Sequence, residues 1–376
     1  MKRVLITSTS VMAFYFFIPH IKALIDDGYE VEYACSSIHD FEYRLRESLT
    51  GAYKIPIHTV TLYRTPYRLA NIKGYREIRK IINKGHYGLI ITNEPVMGVV
   101  TRLAARTFRQ CGGHVIYIAH GFHFFKGAPL INWLIYYPIE RWMARYTDVL
   151  ITINKEDFTR AECFKVSKVE YIPGMGIDIE EINRVNIDSE LKRYELGIPT
   201  DAIVLLSVGE LNHNKNHKIV LRALSTMCRN DICYVVCGQG PLEGYLKKLS
   251  VMFGIEKKVY FLGYRSDVID ICKISDIFIF PSLREGLGIA ALEAMASGLP
   301  IITTNVHGVL DYSIDGKTGF VVKRNDIRRL TSAIEIIADN EQMRIKMGNY
   351  NKTYVTRFDI SYSIKKMREI FIELVT

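Results

Sequence analysis

The chain alternates along its length between short runs rich in β-branched residues and longer stretches whose apolar positions recur at helical spacing. In the first half the strand candidates are RVLITSTS (3–10), EVEYACSS (30–37), KIPIHTVTL (54–62), GLIITNEP (88–95), HVIYIAHG (114–121), DVLITIN (148–154) and VEYIPGM (169–175). Strands this continuously apolar have no face to leave in water. Separated by helices, they predict a parallel sheet covered on both sides. The pattern breaks at PGMGIDIEEINRVNIDSELKRYELGIPTD (173–201), a polar stretch with Pro and Gly at both ends that reads as an interdomain linker. A second series follows: AIVLLSVGEL (202–211), CYVVCGQG (233–240), VYFLGY (259–264), IFIFPS (277–282), PIITTN (300–305) and GFVVK (319–323). The closing stretch, 357–376, spaces Ile360, Ile364, Met367, Ile370, Phe371 and Leu374 along one helix face.

These series predict two doubly wound α/β domains, residues 1–185 and 198–356, with the closing helix packing back on the first. Ligands of such sheets bind beyond the carboxyl ends of the strands. Chemistry is therefore expected just after strands, where the strand ends of the two domains face each other across a cleft.

A length of 376 residues agrees with two cores rather than one. The apolar fraction of 48% and charged fraction of 24% are those of a soluble globular protein. A net charge of +9 favours phosphates, nucleotides, anionic lipid surfaces or nucleic acid without choosing among them. Lys2 and Arg3 precede an apolar run, but Thr7, Ser8, Thr9 and Ser10 interrupt it and no small-residue cleavage site follows, so no signal peptide is expected. LINWLIYYPIERW (130–142) is too short to span a bilayer and ends in charges. The seven cysteines are odd in number and lack any CxxC pair, which predicts buried reduced thiols, and no metal-ligand spacing is visible.

The chemistry concentrates in REGLGIAALEAMASGLPIITTN (284–305). Glu293 stands in an apolar helical run, where an unpaired carboxylate is costly to bury. Glu285 precedes Gly286 and Gly288 in a tight loop between the strand IFIFPS and the helix IAALEAMAS. Glycines at a helix start let backbone N–H groups approach an anion, and the helix dipole favours a phosphate there. Glu285 is placed to accept from hydroxyls beyond that phosphate, and Glu293 from a vicinal pair such as a ribose carries. The combination fits a nucleoside diphosphate bearing a sugar. A capping residue plus a snorkelling glutamate is the alternative at this point.

FPSLREGLGIAALEAMASGLPII also resembles the E-x7-E motif of the retaining GT-B glycosyltransferases of family 4, close to S-x-x-E-G-[FL]-G-x-x-x-x-E-A-[MQ]-A-x-G-x-P. The resemblance extends through LLSVGELNHNKNH, VVCGQGPLEGYLKKL, VYFLGYRSDV and DGKTGFVV. In the first half YIAHGFHFFKGAPLINWLIYYPIERWMARYTDVLITINKEDF is similar to a subgroup that builds bacterial capsule, exopolysaccharide or other lipid-linked glycans from UDP-sugars.

The resemblance implies that Glu293 binds the donor ribose and Glu285 the transferred sugar, with the N–H groups of Gly286, Leu287 and Gly288 cradling the diphosphate. Lys215, in the loop that begins at Gly209, matches the lysine that neutralises the diphosphate as it leaves. His120 matches the imidazole near the reacting carbon, and His123 is acceptor-side or structural. Asn93 and Glu94, in TNEP, are loose acceptor-side candidates. Tyr264 and Arg265 lie beside the base, or Arg265 replaces a missing phosphate cation.

That cation is missing because Glu210 stands where the family pattern has an arginine. TSTSVMAFYFF also lacks the glycine pair many members carry after the first strand, and the absence of G-x-G-x-x-G there argues against a dehydrogenase.

YRTPYRLANIKGYREIRKIINKGHYG (63–88) holds Arg64, Arg68, Lys73, Arg76, Arg79, Lys80 and Lys84 against Glu77, with Tyr63, Tyr67 and Tyr75 interleaved. Arg102, Arg106 and Arg109 suggest a second basic helix face. Basic residues with aromatics suit nucleic acid or an anionic membrane, and solvated helix faces are the alternative. For an enzyme of lipid-linked sugars, the membrane is the expectation and nucleic acid is not. The loop 121–142 dips into the interface, lines the acceptor site or simply packs. The resulting expectation is a retaining transferase of UDP-sugars to a polyprenyl-diphosphate-linked glycan. It acts by front-face substitution without metal or cofactor, on the inner face of the cytoplasmic membrane. The rivals are a nucleotide-sugar epimerase and a non-catalytic partner of another transferase.

Overall fold

The computed structural model describes residues 3–10, 13–36 and 55–375. Ser37 and Lys54, at the tips of two strand candidates, and Val11 and Met12, in the loop after the first strand, lie outside the described residues. The chain divides into two compact units, Met1–Met175 with Ser361–Thr376, and Gly176–Ile360.

The first unit is a sheet of β1 (Arg3–Thr7), β2 (Glu30–Ser36), β3 (Ile57–Val60), β4 (Leu89–Asn93), β5 (His114–Ala119), β6 (Val149–Thr152) and β7 (Lys168–Tyr171) in the order 3-2-1-4-5-6-7. The second is a sheet of β8 (Ile203–Val208), β9 (Ile232–Cys237), β10 (Val259–Gly263), β11 (Ile277–Phe280), β12 (Ile301–Thr304) and β13 (Gly319–Val322) in the order 10-9-8-11-12-13. Every pairing is parallel. Each sheet is thus Rossmann-like, its strand order reversing beside the first strand of its series. All of β4 and all of β11 are buried, which is why these strands read as unbroken apolar runs rather than as alternating ones.

Each strand candidate contains or overlaps an observed strand, and most strands end earlier than the sequence suggests. β5 stops at Ala119, β8 at Val208 and β11 at Phe280, so His120, Gly209 to Lys215 and Pro281 to Gly288 stand in loops at the carboxyl ends. The closing helix Ile360–Val375 belongs to the first unit, where Met367, Ile370 and Phe371 are buried. The His20 ring lies 2.9 Å from the Ser363 hydroxyl, and Arg368 donates to Asp27 at 2.7 Å.

Three expectations need correction. The stretch 173–201, expected as an interdomain linker, holds two helices, Ile179–Arg184 and Ser189–Glu195, each started by an aspartate. Asp178 caps the Glu181 N–H and Asp188 the Leu191 N–H, a local device that can start a helix with few apolar residues. Arg102 is not part of a basic face. It is 1% exposed, stacked 3.8 Å over Tyr117 and paired with Glu140 at 2.8 Å. The cysteines are all free, but Cys111, Cys163 and Cys228 are exposed rather than buried.

Candidate active site

In the second unit the sheet reverses order between β8 and β11, so the loops that follow these strands are neighbours. They are tied together directly: the Leu283 N–H donates to the Asn214 carbonyl at 2.8 Å, and the Asn214 amide donates to the Arg284 carbonyl at 2.9 Å. This places the Lys215 Nζ 2.6 Å from Glu285 Oε1, with both side chains largely but not wholly covered. The ammonium also sits 4.7 Å from the centre of the Phe280 ring. Gly209 borders it, since a Cβ there would come within 3.1 Å of the Lys215 Cε. A cation and an anion are thus held ready at the mouth of a glycine-rich turn.

The turn leads into the helix Ile289–Ala296. Gly288, at its start, has φ 94°, and an added Cβ would meet the Phe280 ring at 2.5 Å, so the position needs glycine on both counts. Leu287 points inward and is buried. On this helix Ala291, Leu292, Ala294, Met295 and Ala296 face the core, whereas Glu293 shares a half-open stripe with Ile289, Ala290 and Ser297. That resolves its odd company: the apolar neighbours belong to a different face. No donor of the protein reaches the Glu293 carboxylate among the described residues, and partial burial pushes its pKa above the usual carboxylate range. A half-buried acceptor without a partner is suited to ligand hydroxyls.

The substituted position, Glu210, is exposed and accepts from the Asn212 amide at 2.8 Å. Asn212 in turn caps the Lys215 N–H at 3.0 Å, so Glu210 helps shape the loop that carries the lysine. Arg265 is held by Asp267 through two bonds, at 2.7 and 2.5 Å. Asp267 also takes Lys192 at 2.8 Å, and these cations hold its carboxyl well below the usual range. The arginine is therefore engaged already, while Tyr264 beside it is exposed.

Sequence reasoning missed Tyr312. Its fully buried hydroxyl has no hydrogen-bond partner among the described residues and would lie 3.1 Å from a Cβ on Gly288, against the same turn. Burial, reinforced by Glu285 and Asp311, keeps it un-ionised and so a donor. Nothing in GVLDYSIDG marks it, because the tyrosine reaches the turn only through the fold.

In the first unit His120 follows β5, and its ring Nε2 lies 3.0 Å from Asn93 Oδ1. Asn93 is buried and donates to the Thr7 carbonyl at 3.3 Å, so it steadies the imidazole rather than offering itself to a ligand. The residue is exposed to solvent, and the protein around the ring draws its pKa below the usual histidine value. Glu94 has φ 65° and ψ 154°, a conformation nearly restricted to glycine, and its carboxylate accepts the Thr9 N–H. His123 stacks on Tyr136 with ring centres 4.5 Å apart. Among the described residues no group of three or more His, Cys, Asp and Glu is gathered as a metal site, and no helix is long and apolar enough to cross a membrane.

Both halves of the chain are similar to known glycosyltransferases. Residues 188–354 match the family model "Glycosyl transferases group 1", and residues 20–181 match "Glycosyltransferase Family 4". EpsD of Bacillus subtilis (strain 168), itself assigned as a glycosyltransferase, is 33% identical over 361 residues, 95% of this chain and 92% of EpsD. The UDP-Gal:alpha-D-GlcNAc-diphosphoundecaprenol alpha-1,3-galactosyltransferase of Escherichia coli is 29% identical, covering 84% of this chain and 83% of that protein. Among solved structures, HepE of Anabaena in complex with UDP and glucose superposes with a TM-score of 0.81 at 19% identity, over 99% of this chain and all of HepE (100%). The chain belongs to the GT-B glycosyltransferases, with a family 4 N-terminal half and a group 1 C-terminal half.

Proposed function

We propose that this glycosyltransferase moves a sugar from a UDP-sugar to a polyprenyl-diphosphate-linked glycan at the inner face of the cytoplasmic membrane, with retention at the anomeric carbon and without a metal ion. The observation that carries the proposal is the Lys215–Glu285 pair, 2.6 Å apart beside a glycine turn, with the unpartnered Glu293 on the helix that follows. The E. coli relative is named for a UDP-sugar donor and a diphosphoundecaprenol acceptor, and HepE has been captured with UDP-glucose.

Donor binding splits the ion pair. The diphosphate takes the Lys215 ammonium and the N–H groups of Gly286 to Gly288, and Glu285 is released to hydroxyls of the transferred sugar. Glu293 accepts from the ribose. As the glycosidic bond breaks, negative charge grows on the β-phosphate, where a lysine and oriented amides are worth most. The same phosphate oxygen takes the acceptor proton, so Glu285 positions the sugar and is not a nucleophile. His120, kept in place by Asn93, hydrogen-bonds a sugar hydroxyl. Arg265 and Tyr264 flank the base, and the task of the absent arginine passes to Lys215 and the turn amides.

The test is a transfer assay with the purified chain, labelled UDP-galactose, UDP-glucose and UDP-N-acetylglucosamine, a polyprenyl-diphosphate N-acetylglucosamine acceptor, and EDTA. Transfer from one donor to an α-linked product is expected. An inverted product, or activity lost in EDTA, contradicts the mechanism. Conversion of the donor sugar without acceptor favours the epimerase, and UDP binding without turnover favours a non-catalytic partner.

A further inference from the structure

The first unit contains a cavity of about 440 Å³, in the size range of pockets that hold organic ligands, which the sequence did not announce. Its wall is largely branched aliphatic: Val96, Val99 and Val100 from the helix Pro95–Ala104, and Ile135 and Ile139 from the helix Leu130–Met143. Tyr67 and Tyr136 complete it. Three polar side chains that line the cavity, Glu140, Asn71 and Glu94, already have partners. Glu140 is held by Arg102 at 2.8 Å and by the Tyr117 hydroxyl at 3.1 Å. Asn71 accepts the Tyr63 N–H at 2.8 Å and donates to the Thr65 carbonyl at 3.0 Å. Glu94 accepts the Thr9 N–H. What remains on offer inside is mostly apolar surface, with Thr9 and His123 at its edge, and at the rim a cation: the Arg64 side chain is 71% exposed and only 3.8 Å from Glu94.

The surface around the rim has a matching character. Tyr67 is 81% exposed, Leu69 83%, Leu130 81% and Leu134 73%, far more than such side chains normally show in water. The helix Ala70–Gly85 continues from the same rim with Arg76, Arg79, Lys80 and Lys84, all exposed and without an acidic partner among the described residues. Exposed aromatic and aliphatic side chains flanked by unpaired cations are the chemistry of an anionic bilayer surface.

We infer that the cavity is a slot for the first isoprene units of a polyprenyl diphosphate, entered from the bilayer, with Arg64 meeting the diphosphate at the rim. This rests on the lipid-linked acceptor proposed above and adds where the lipid itself is held. The walls match a branched hydrocarbon, and the rim matches an anion attached directly to it. Arg64 and the basic helix supply the complementary charge that an uncharged apolar ligand would not require. A phospholipid acyl chain is the competing occupant.

The experiment measures binding of geranylgeranyl diphosphate, isopentenyl diphosphate and a single-chain acyl phosphate to the full chain, together with thermal stabilisation by UDP. Geranylgeranyl diphosphate should bind about tenfold more tightly than either of the others. Val99→Trp and, separately, Ile139→Trp should fill the slot and lower that affinity about tenfold, with stabilisation by UDP unchanged. Arg64→Ala should weaken geranylgeranyl diphosphate but not geranylgeraniol. Equal affinity for the long and short diphosphates, preference for the acyl phosphate, or indifference to both filling variants would overturn the inference. The donor reading fails separately: it is lost if UDP does not stabilise the protein, whatever the lipid probes do.

Discussion

The second unit's glycine turn and the first unit's apolar rim solve opposite recognition problems. At the turn polar groups are held at fixed positions, several by one another: Lys215 with Glu285, Asn214 with Arg284, Asn212 with Glu210. At the rim, large apolar side chains stand open to solvent, beside Arg64, which is mostly exposed although 3.8 Å from Glu94, and beside basic residues of the helix Ala70–Gly85 that have no acidic partner among the described residues. A ligand with fixed phosphates and hydroxyls can be met by groups at fixed spacing along a strand, a turn and a helix. A hydrocarbon chain has no such points to match, and is met by surface. The first solution leaves a motif in the sequence, whereas the second leaves only composition.

Breaking the turn should give the largest effects. Lys215→Ala removes the cation facing the leaving diphosphate and should cut the transfer rate by about 10²–10³-fold, measured at saturating donor with an unchanged melting temperature. Glu285→Gln separates two roles of the turn. It should lower transfer by about 10²-fold while UDP, which lacks the sugar, binds as tightly as before or more tightly, because Lys215 no longer has to be released from its partner. Weaker UDP binding in this variant would mean that the ion pair is scaffold rather than a resting state.

A smaller effect sharpens the backbone argument. Gly288→Ala forces a Cβ into the Phe280 ring at φ 94° and should cost about 1–2 kcal/mol of stability, read by denaturant unfolding. The rim should respond differently. Leu130→Ser with Leu134→Ser should move stability by less than about 0.5 kcal/mol, since both side chains are already exposed, but should release the protein from anionic vesicles in a sedimentation assay. Vesicle binding unchanged by this pair would separate the apolar helix from any membrane role.

Glu293 supplies a dependence on pH. Burial raises its folded-state pKa, so its contribution to stability is full below the unfolded pKa and is lost as pH rises through the folded value. Glu293→Gln should therefore raise the melting temperature of the free protein at pH 7–8 and have little effect near pH 4. Such a trade, stability given up for an acceptor without a partner, is expected of a binding residue and not of a packing one.

The fold was legible almost entirely, because parallel strands buried on both faces announce themselves as apolar runs whatever their loops do. The two helices in 179–195 were not, since their aspartate caps stabilise them locally in a stretch with little periodicity. At the site the motif named Glu285, Glu293 and Lys215 individually, but not that the first and last form a pair across seventy residues (|i−j| = 70). The Arg265–Asp267 fork lay two residues apart in the sequence and still went unread, because an arginine in a loop looks available until its partner's geometry is known. Arg102 read as a surface charge for a similar reason: Glu140, which buries it, lies on another helix. Tyr312 and the isoprenoid slot were illegible for a deeper one, as each is assembled from segments that share nothing but proximity.

The account turns on Glu293 reading a ribose beside the Lys215–Glu285 pair. The most direct test is calorimetric titration of UDP and 2′-deoxy-UDP into the wild type and Glu293→Gln, with no divalent metal present. A hydrogen bond to a charged acceptor predicts that the wild type prefers UDP by about tenfold or more, and that the variant loses the preference. Equal binding of the two nucleotides by the wild type, or an undiminished preference in the variant, would contradict it.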